Sequence, residues 1–327
     1  MKFLKSGPVV MFIVTSGLLL LTEVACRTTL WLRTPEAMVF DPEIIYRLQP
    51  NSTAHGITYN SEGCIGDDFN TDDPSKIEVL LLGGSTSFSI SYVTQLKDQL
   101  VAKLAVPSDS IKVMSCGRPR YTSYVNKVIL ERFLSRFKPE VVALYLGIND
   151  NIYNTFQWLD KVPSVGFFDF KSTNNLVAWE MFKYYVLQKN LLSRPHFVNT
   201  ELPSAKIFSG NLDEILLMTK SHGVRLATTT FGIALPTDDA ALRSKIYDEE
   251  PLMRHFWGDV ESTVFGVRKH NEILQHWASR NGVPCSLFSE TVERSSSSFL
   301  DICHMTDFGY RQLANSLSDA IVQSLSE

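Results

Sequence analysis

The chain opens on one long apolar run and then settles into short apolar stretches alternating with amphipathic segments. Pro8 to Leu21 reads PVVMFIVTSGLLLL, with Lys2 and Lys5 ahead of it and Glu23, Arg27 and Arg33 behind. From Lys76 the texture changes. IEVLLLGGS (Ile77–Ser85) is a continuous apolar run ending in glycines, the pattern of a parallel strand buried on both faces. Four similar runs follow at Ile111–Ser115, Val141–Leu146, Arg225–Thr230 and Pro284–Phe288. Helical periodicity covers Tyr92–Leu104, Ser123–Phe137, Leu212–His222 and Val264–Asn281, and a last helix is expected from Asp307 to Leu325. This alternation predicts an α/β protein: a three-layer, doubly wound, five-stranded parallel sheet with its functional loops at the carboxyl ends of the strands.

Three regions are expected: a signal anchor or transmembrane helix over 1–30, an irregular or hairpin-forming lead-in over 31–75, and one domain over 76–327. An insertion over 151–205 breaks the rhythm, because it far exceeds an ordinary crossover helix of about 10–15 residues. Its aromatic residues, among them Phe156, Trp158, Trp179 and Phe182, would either pack its own helix onto the domain or line a pocket. The packing reading is favoured.

The uncharged stretch from Ser6 to Thr22 is at the short end of the ~17–25 residues that span a bilayer. An uncleaved anchor is favoured over a cleaved or lipidated signal. Glu23 stands where a small residue is expected for cutting after Ala25, and where an aliphatic residue would precede a lipidated Cys26. A buried apolar helix is the third alternative. Flanking positive charge does not decide the orientation. The body is expected on the extracytoplasmic side, periplasmic or at the cell surface.

Composition narrows the classes further. The 327 residues are 44% apolar and 20% charged, which excludes disordered, collagen-like and disulfide-framework proteins. A formal net charge of −4 provides no basic field for nucleic acid. The five cysteines (Cys26, Cys64, Cys116, Cys285 and Cys303) form no C-x-x-C or Cys/His ladder for zinc. They read as small buried side chains, with one bridge left open. No metal and no organic cofactor are expected.

Four short segments stand at predicted strand ends or before the last helix. They are Gly83-Gly84-Ser85-Thr86-Ser87, Ser115-Cys116-Gly117, Gly147-Ile148-Asn149-Asp150 and Asp301-Ile302-Cys303-His304. A serine hydroxyl needs an adjacent base to act as a nucleophile, and an imidazole needs a carboxylate to set its tautomer. Ser85, His304 and Asp301 supply those three types. The backbone N–H groups of Ser85 and Gly117, with the Asn149 amide, supply donors for an oxyanion. Capping roles compete for Ser85, Asn149, Asp150 and Asp301, and the other histidines read as surface or helix residues. Arg118 and Arg120 read as solvated arginines, with contact to an anionic or sugar substrate as the alternative.

In these four blocks the chain resembles the SGNH (GDSL-type) hydrolases, whose blocks contribute Ser, Gly, Asn and His in that order. Gly83-Gly84-Ser85 is similar to the nucleophile block, with Gly84 where many members have Asp. Gly147–Asp150 matches G-x-N-D, and Asp301–His304 matches D-x-x-H. The tail HMTDFGYRQLANSL resembles the family's closing helix, and Asn60–Gly63 is similar to the lead-in of membrane-anchored members. Cys64 and Ile65 depart from the aromatic-Arg pair expected there. The resemblance implies a flavodoxin-like SGNH fold and a serine esterase or acylhydrolase working through an acyl-enzyme on a small-molecule, glycan or lipid ester. The alternative is an O-acyltransferase or deacetylase of cell-envelope glycans using the same site. A non-catalytic envelope binding protein is the third reading, from a different class.

Overall fold

A computed structural model describes residues 7–33, 37–155 except 42, 55, 70–72 and 74, then 178, 179, 182, and 202–326 except 255. Most of the 151–205 insertion lies outside the described residues. In chain order the strands are β1 (Met38–Asp41), β2 (Ile45–Leu48), β3 (Thr53–Ala54), β4 (Ile57–Thr58), β5 (Ile65–Gly66), β6 (Ile77–Gly83), β7 (Ile111–Ser115), β8 (Val141–Tyr145), β9 (Arg225–Thr229) and β10 (Cys285–Ser286). The long helices are α1 (Gly7–Arg33), α2 (Ile90–Leu104), α3 (Ser123–Leu134), α4 (Pro203–His222), α5 (Val260–Asn281) and α6 (Asp307–Ser326).

The central sheet has the order β10-β9-β8-β6-β7-β5. Its first five strands are parallel, in the doubly wound arrangement expected from the alternation of strands and helices. Side chains along each strand alternate between two apolar cores. Leu80, Leu82, Val142 and Leu144 join Phe208, Leu212 and Trp277 on one face. Val79, Leu81, Val141 and Ala143 join Leu96, Leu100, Leu313 and Leu317 on the other. A strand buried on both faces must be apolar at every position, which is why β6 reads as a solid apolar run. The order reverses between β6 and β8, so the loops after these two strands flank the switch point where α/β sheets bind ligands.

The sixth strand corrects the expectation of five. β5 comes from the lead-in and pairs antiparallel with β7, Ile65 opposite Ser115. Its approach is set by a turn around Asn60, whose Oδ1 accepts the N–H groups of Glu62 (3.0 Å) and Cys64 (2.9 Å). Gly63 sits in the left-handed region at φ 70°, where any Cβ would run into Leu48 O. A disulfide then joins Cys64 to Cys116, with Cα atoms 4.7 Å apart. The bridge left open at the cysteine count is therefore present, and it fastens the lead-in to the end of β7.

Element ends differ where caps decide them. Ser89 accepts the Tyr92 N–H and starts α2 two residues early, and Asp259 accepts the Ser262 N–H and starts α5 four residues early. α4 begins at Pro203 rather than Leu212, using proline at a position where its missing N–H costs nothing. The last parallel strand pairs only at Cys285–Ser286, because the chain turns at Leu287 into a short helix at Phe288–Thr291.

Among the described residues one helix is long and apolar enough to cross a membrane, over Val10–Thr29 in α1, and its side chains are almost wholly exposed. Glu23 and Arg27 on it form an i,i+4 ion pair at 2.7 Å.

Candidate active site

The turn that carries Ser85 begins where β6 ends. Ser85–Ser87 form a single 3-10 turn, closed by the Phe88 N–H donating to Ser85 O at 3.0 Å. Ser85 thus opens a turn and does not cap α2, a role that belongs to Ser89. From the other end of the chain, the segment before α6 brings His304 to it. His304 Nε2 lies 2.8 Å from Ser85 Oγ, and His304 Nδ1 lies 2.7 Å from Asp301 Oδ2. A carboxylate only accepts, so Nδ1 carries the proton and Nε2 accepts from the serine hydroxyl. The other Asp301 oxygen accepts the backbone N–H groups of Cys303 (2.8 Å) and His304 (2.7 Å). This local turn fixes the three-residue spacing of D-x-x-H.

These contacts determine the charge states. Burial alone would raise the Asp301 carboxyl, but the hydrogen bonds and charge of His304 outweigh it and hold the group below the usual range. The neighbouring Cys303 and the hydrogen bond and charge of Asp301 raise the His304 imidazole above its ordinary value, against desolvation. Cys303 is itself fully buried and its thiol is pushed up, so it is neutral near pH 7. Asp301 is then the charge that raises His304. Asp301, Cys303 and His304 offer ligand atoms within 4.8 Å of one another. A cation there would have to displace Asp301 from Nδ1 and strip a proton from a buried thiol.

Gly117 follows β7, and a Cβ there would fall 2.7 Å from Ser87 Cβ and 3.0 Å from Gly84 O. Only glycine lets this loop lie against the Ser85–Ser87 turn. Among the described residues, neither the Ser85 nor the Gly117 N–H finds an acceptor. Asn149 stands on a 3-10 turn, Ile148–Asn151, just beyond β8. It is buried, and its Nδ2 donates one hydrogen to Tyr121 O at 3.0 Å, leaving the second free. A Cβ at Gly84 would come within 2.5 Å of that nitrogen, so glycine at 84 lets the amide reach the Ser85–Ser87 turn.

Asp150 has a different task. Both its oxygens accept the Ser123 N–H (3.2 and 3.1 Å), and one also accepts the Ser123 hydroxyl at 2.5 Å, so it caps α3 from across the sheet edge. Burial pushes its carboxyl up to about 7, against those hydrogen bonds.

The reading of Arg118 and Arg120 as solvated arginines is corrected. Arg118 is 3% exposed rather than solvated, with its guanidinium 4.8 Å from the centre of the Phe88 ring. Arg120 is half-buried, its guanidinium 3.9 Å above Phe256, with backbone at φ 68°. His270, read as an ordinary surface or helix residue, is fully buried on α5. Its Nδ1–H donates to Gly147 O (2.8 Å) and its Nε2 accepts from the Ser204 hydroxyl (2.8 Å), bolting the Asn149 turn to the start of α4. Desolvation pushes the imidazole down to about 4, so it is neutral. Its helical position supplies no signal of this role.

No family model and no curated protein matches the chain. Among solved structures it is similar to a GDSL-like lipase from Bacteroides thetaiotaomicron, at 12% identity and TM-score 0.46, over 78% of this chain and 92% of the other. It is similar also to an acetyl xylan esterase from Geobacillus stearothermophilus, at 15% identity and TM-score 0.46, over 76% and 95%. A further acetyl xylan esterase overlaps at 14% identity and TM-score 0.45, over 75% and 100%.

Proposed function

We propose that the chain is a serine esterase that cleaves carboxylic esters through an acyl-enzyme. The observation that carries this reading is the continuous hydrogen-bonded line Asp301–His304–Ser85, at 2.7 and 2.8 Å. In the first step His304 Nε2 takes the Ser85 proton as Oγ attacks the acyl carbonyl. The resulting oxyanion accepts from the Ser85 and Gly117 N–H groups and the free Asn149 amide hydrogen. Asp301 stabilises the imidazolium. His304 then protonates the departing alkoxide, leaving the acyl group on Oγ. A water, deprotonated by His304, attacks the acyl carbonyl in turn, and the Ser85 alkoxide leaves with the proton returned from His304.

The same reading extends to location. The Cys64–Cys116 bridge is of the kind that persists in oxidising compartments, and the α1 span suits a membrane anchor. The catalytic body then works outside the cytoplasm on esters of envelope glycans or lipids. Turnover of p-nitrophenyl acetate by the purified chain, lost in S85A, tests the chemistry. A reporter fused after Glu327 and active only in the cytoplasm would contradict the location.

A further inference from the structure

We infer that Arg118 is a positioning residue, whose buried guanidinium holds the Gly117 loop to the nucleophile turn and sets positive charge behind the proposed oxyanion site. The inference rests on the ester reading above.

Three loops meet at this side chain. Its Nη1 donates to Gly117 O at 2.5 Å, and its Nη2 donates to Gly63 O in the lead-in turn. The guanidinium lies 4.8 Å from the centre of the Phe88 ring and 5.7 Å from that of Tyr59, and these two rings stack at 6.1 Å. Phe88 in turn donates its N–H to Ser85 O. The neighbouring Cys64–Cys116 disulfide joins the residues next to Gly63 and Gly117, so the lead-in and the glycine loop are tied twice over.

The chemistry of the side chain is the unusual part. Arg118 is 3% exposed, yet among the described residues no carboxylate pairs with it; carbonyls and aromatic faces are its partners. Burying a cation with no carboxylate beside it is costly, and its bonds to the Gly117 and Gly63 carbonyls and its aromatic neighbours offset part of that cost. A neutral side-chain amide could donate to those carbonyls, so the full charge exceeds what a structural role requires. A cation one residue from a proposed oxyanion donor is complemented when negative charge develops on the substrate.

The full chain, purified in detergent, is compared with R118K and R118M for kcat and KM on p-nitrophenyl acetate. Melting temperature is followed alongside, as is inhibition by phenylboronic acid, which forms a tetrahedral anion on a serine oxygen. R118M should lower kcat by about 10- to 100-fold with KM little changed. The boronate inhibition constant should rise in proportion, and R118K, which keeps the charge, should recover part of both. If R118M fails to fold, R118Q and R118K carry the same comparison. Folded R118M with unchanged kcat and boronate binding, or R118K no better than R118M, overturns the inference while S85A still shows the serine to be required. Turnover that survives S85A overturns the ester reading and this inference with it.

Discussion

His304 Nε2 meets Ser85 Oγ at 2.8 Å although 219 residues of chain separate them. The meeting depends on Asp301, which grips the His304 backbone N–H with one oxygen and Nδ1 with the other. D301N keeps an acceptor for the backbone but can present an N–H to Nδ1 and favour the wrong tautomer. It should lower kcat by about 10³–10⁴-fold with the fold intact. Steady-state kinetics and circular dichroism on the same sample check this.

The pH profile follows from the same pair. His304 must be neutral to accept the Ser85 proton, so kcat/KM rises as the imidazole loses its charge. The negative charge around it raises its pKa, which puts the rising limb above the ordinary histidine value of 6.5. D301N removes the carboxylate and should move the limb down. A limb that stays in place in D301N counts against the assignment.

Much of this site is legible in the chain, and the reasons are local. Solid apolar runs mark strands covered on both faces, and glycine-rich segments at their ends mark loops that must pack closely. D-x-x-H places acid and base within one turn. The parts that escaped reading are long-range. The Cys64–Cys116 bridge depends on β5 lying beside β7, and the two residues of β5, Ile65 and Gly66, offer too little pattern to predict that pairing. Arg118 looks like any loop arginine until Tyr59, Phe88 and Gly63 fold around it. His270 sits in a helix whose periodicity is the same whether or not its ring reaches Gly147.

Stability should depend on pH through Asp150. Its carboxyl ordinarily titrates near 3.8 and is pushed up to about 7 in the fold. Between those values the folded chain holds a proton that the unfolded chain releases, so stability falls as pH rises through this window. D150N retains an acceptor for the Ser123 N–H and has no proton to lose. Melting curves from pH 4 to 8 should slope downward for wild type more steeply than for D150N.

The disulfide should matter to stability and to the site. It closes a loop with a sequence separation of 52 residues, for which the chain-entropy model gives about 4 kcal/mol. Replacing both Cys64 and Cys116 by Ser should lower the denaturation midpoint accordingly. It should also loosen Gly117 and reduce kcat. Full stability and activity in that double variant would contradict the part assigned to the bridge.

The most direct measurement is covalent labelling with a fluorophosphonate, followed by peptide mapping of the full chain and of S85A. The account predicts one label per chain, on Ser85, with loss of p-nitrophenyl acetate turnover in step with labelling. S85A should be folded, unlabelled and inactive. A folded S85A that still hydrolyses the ester, or a label that maps to another residue, would contradict it.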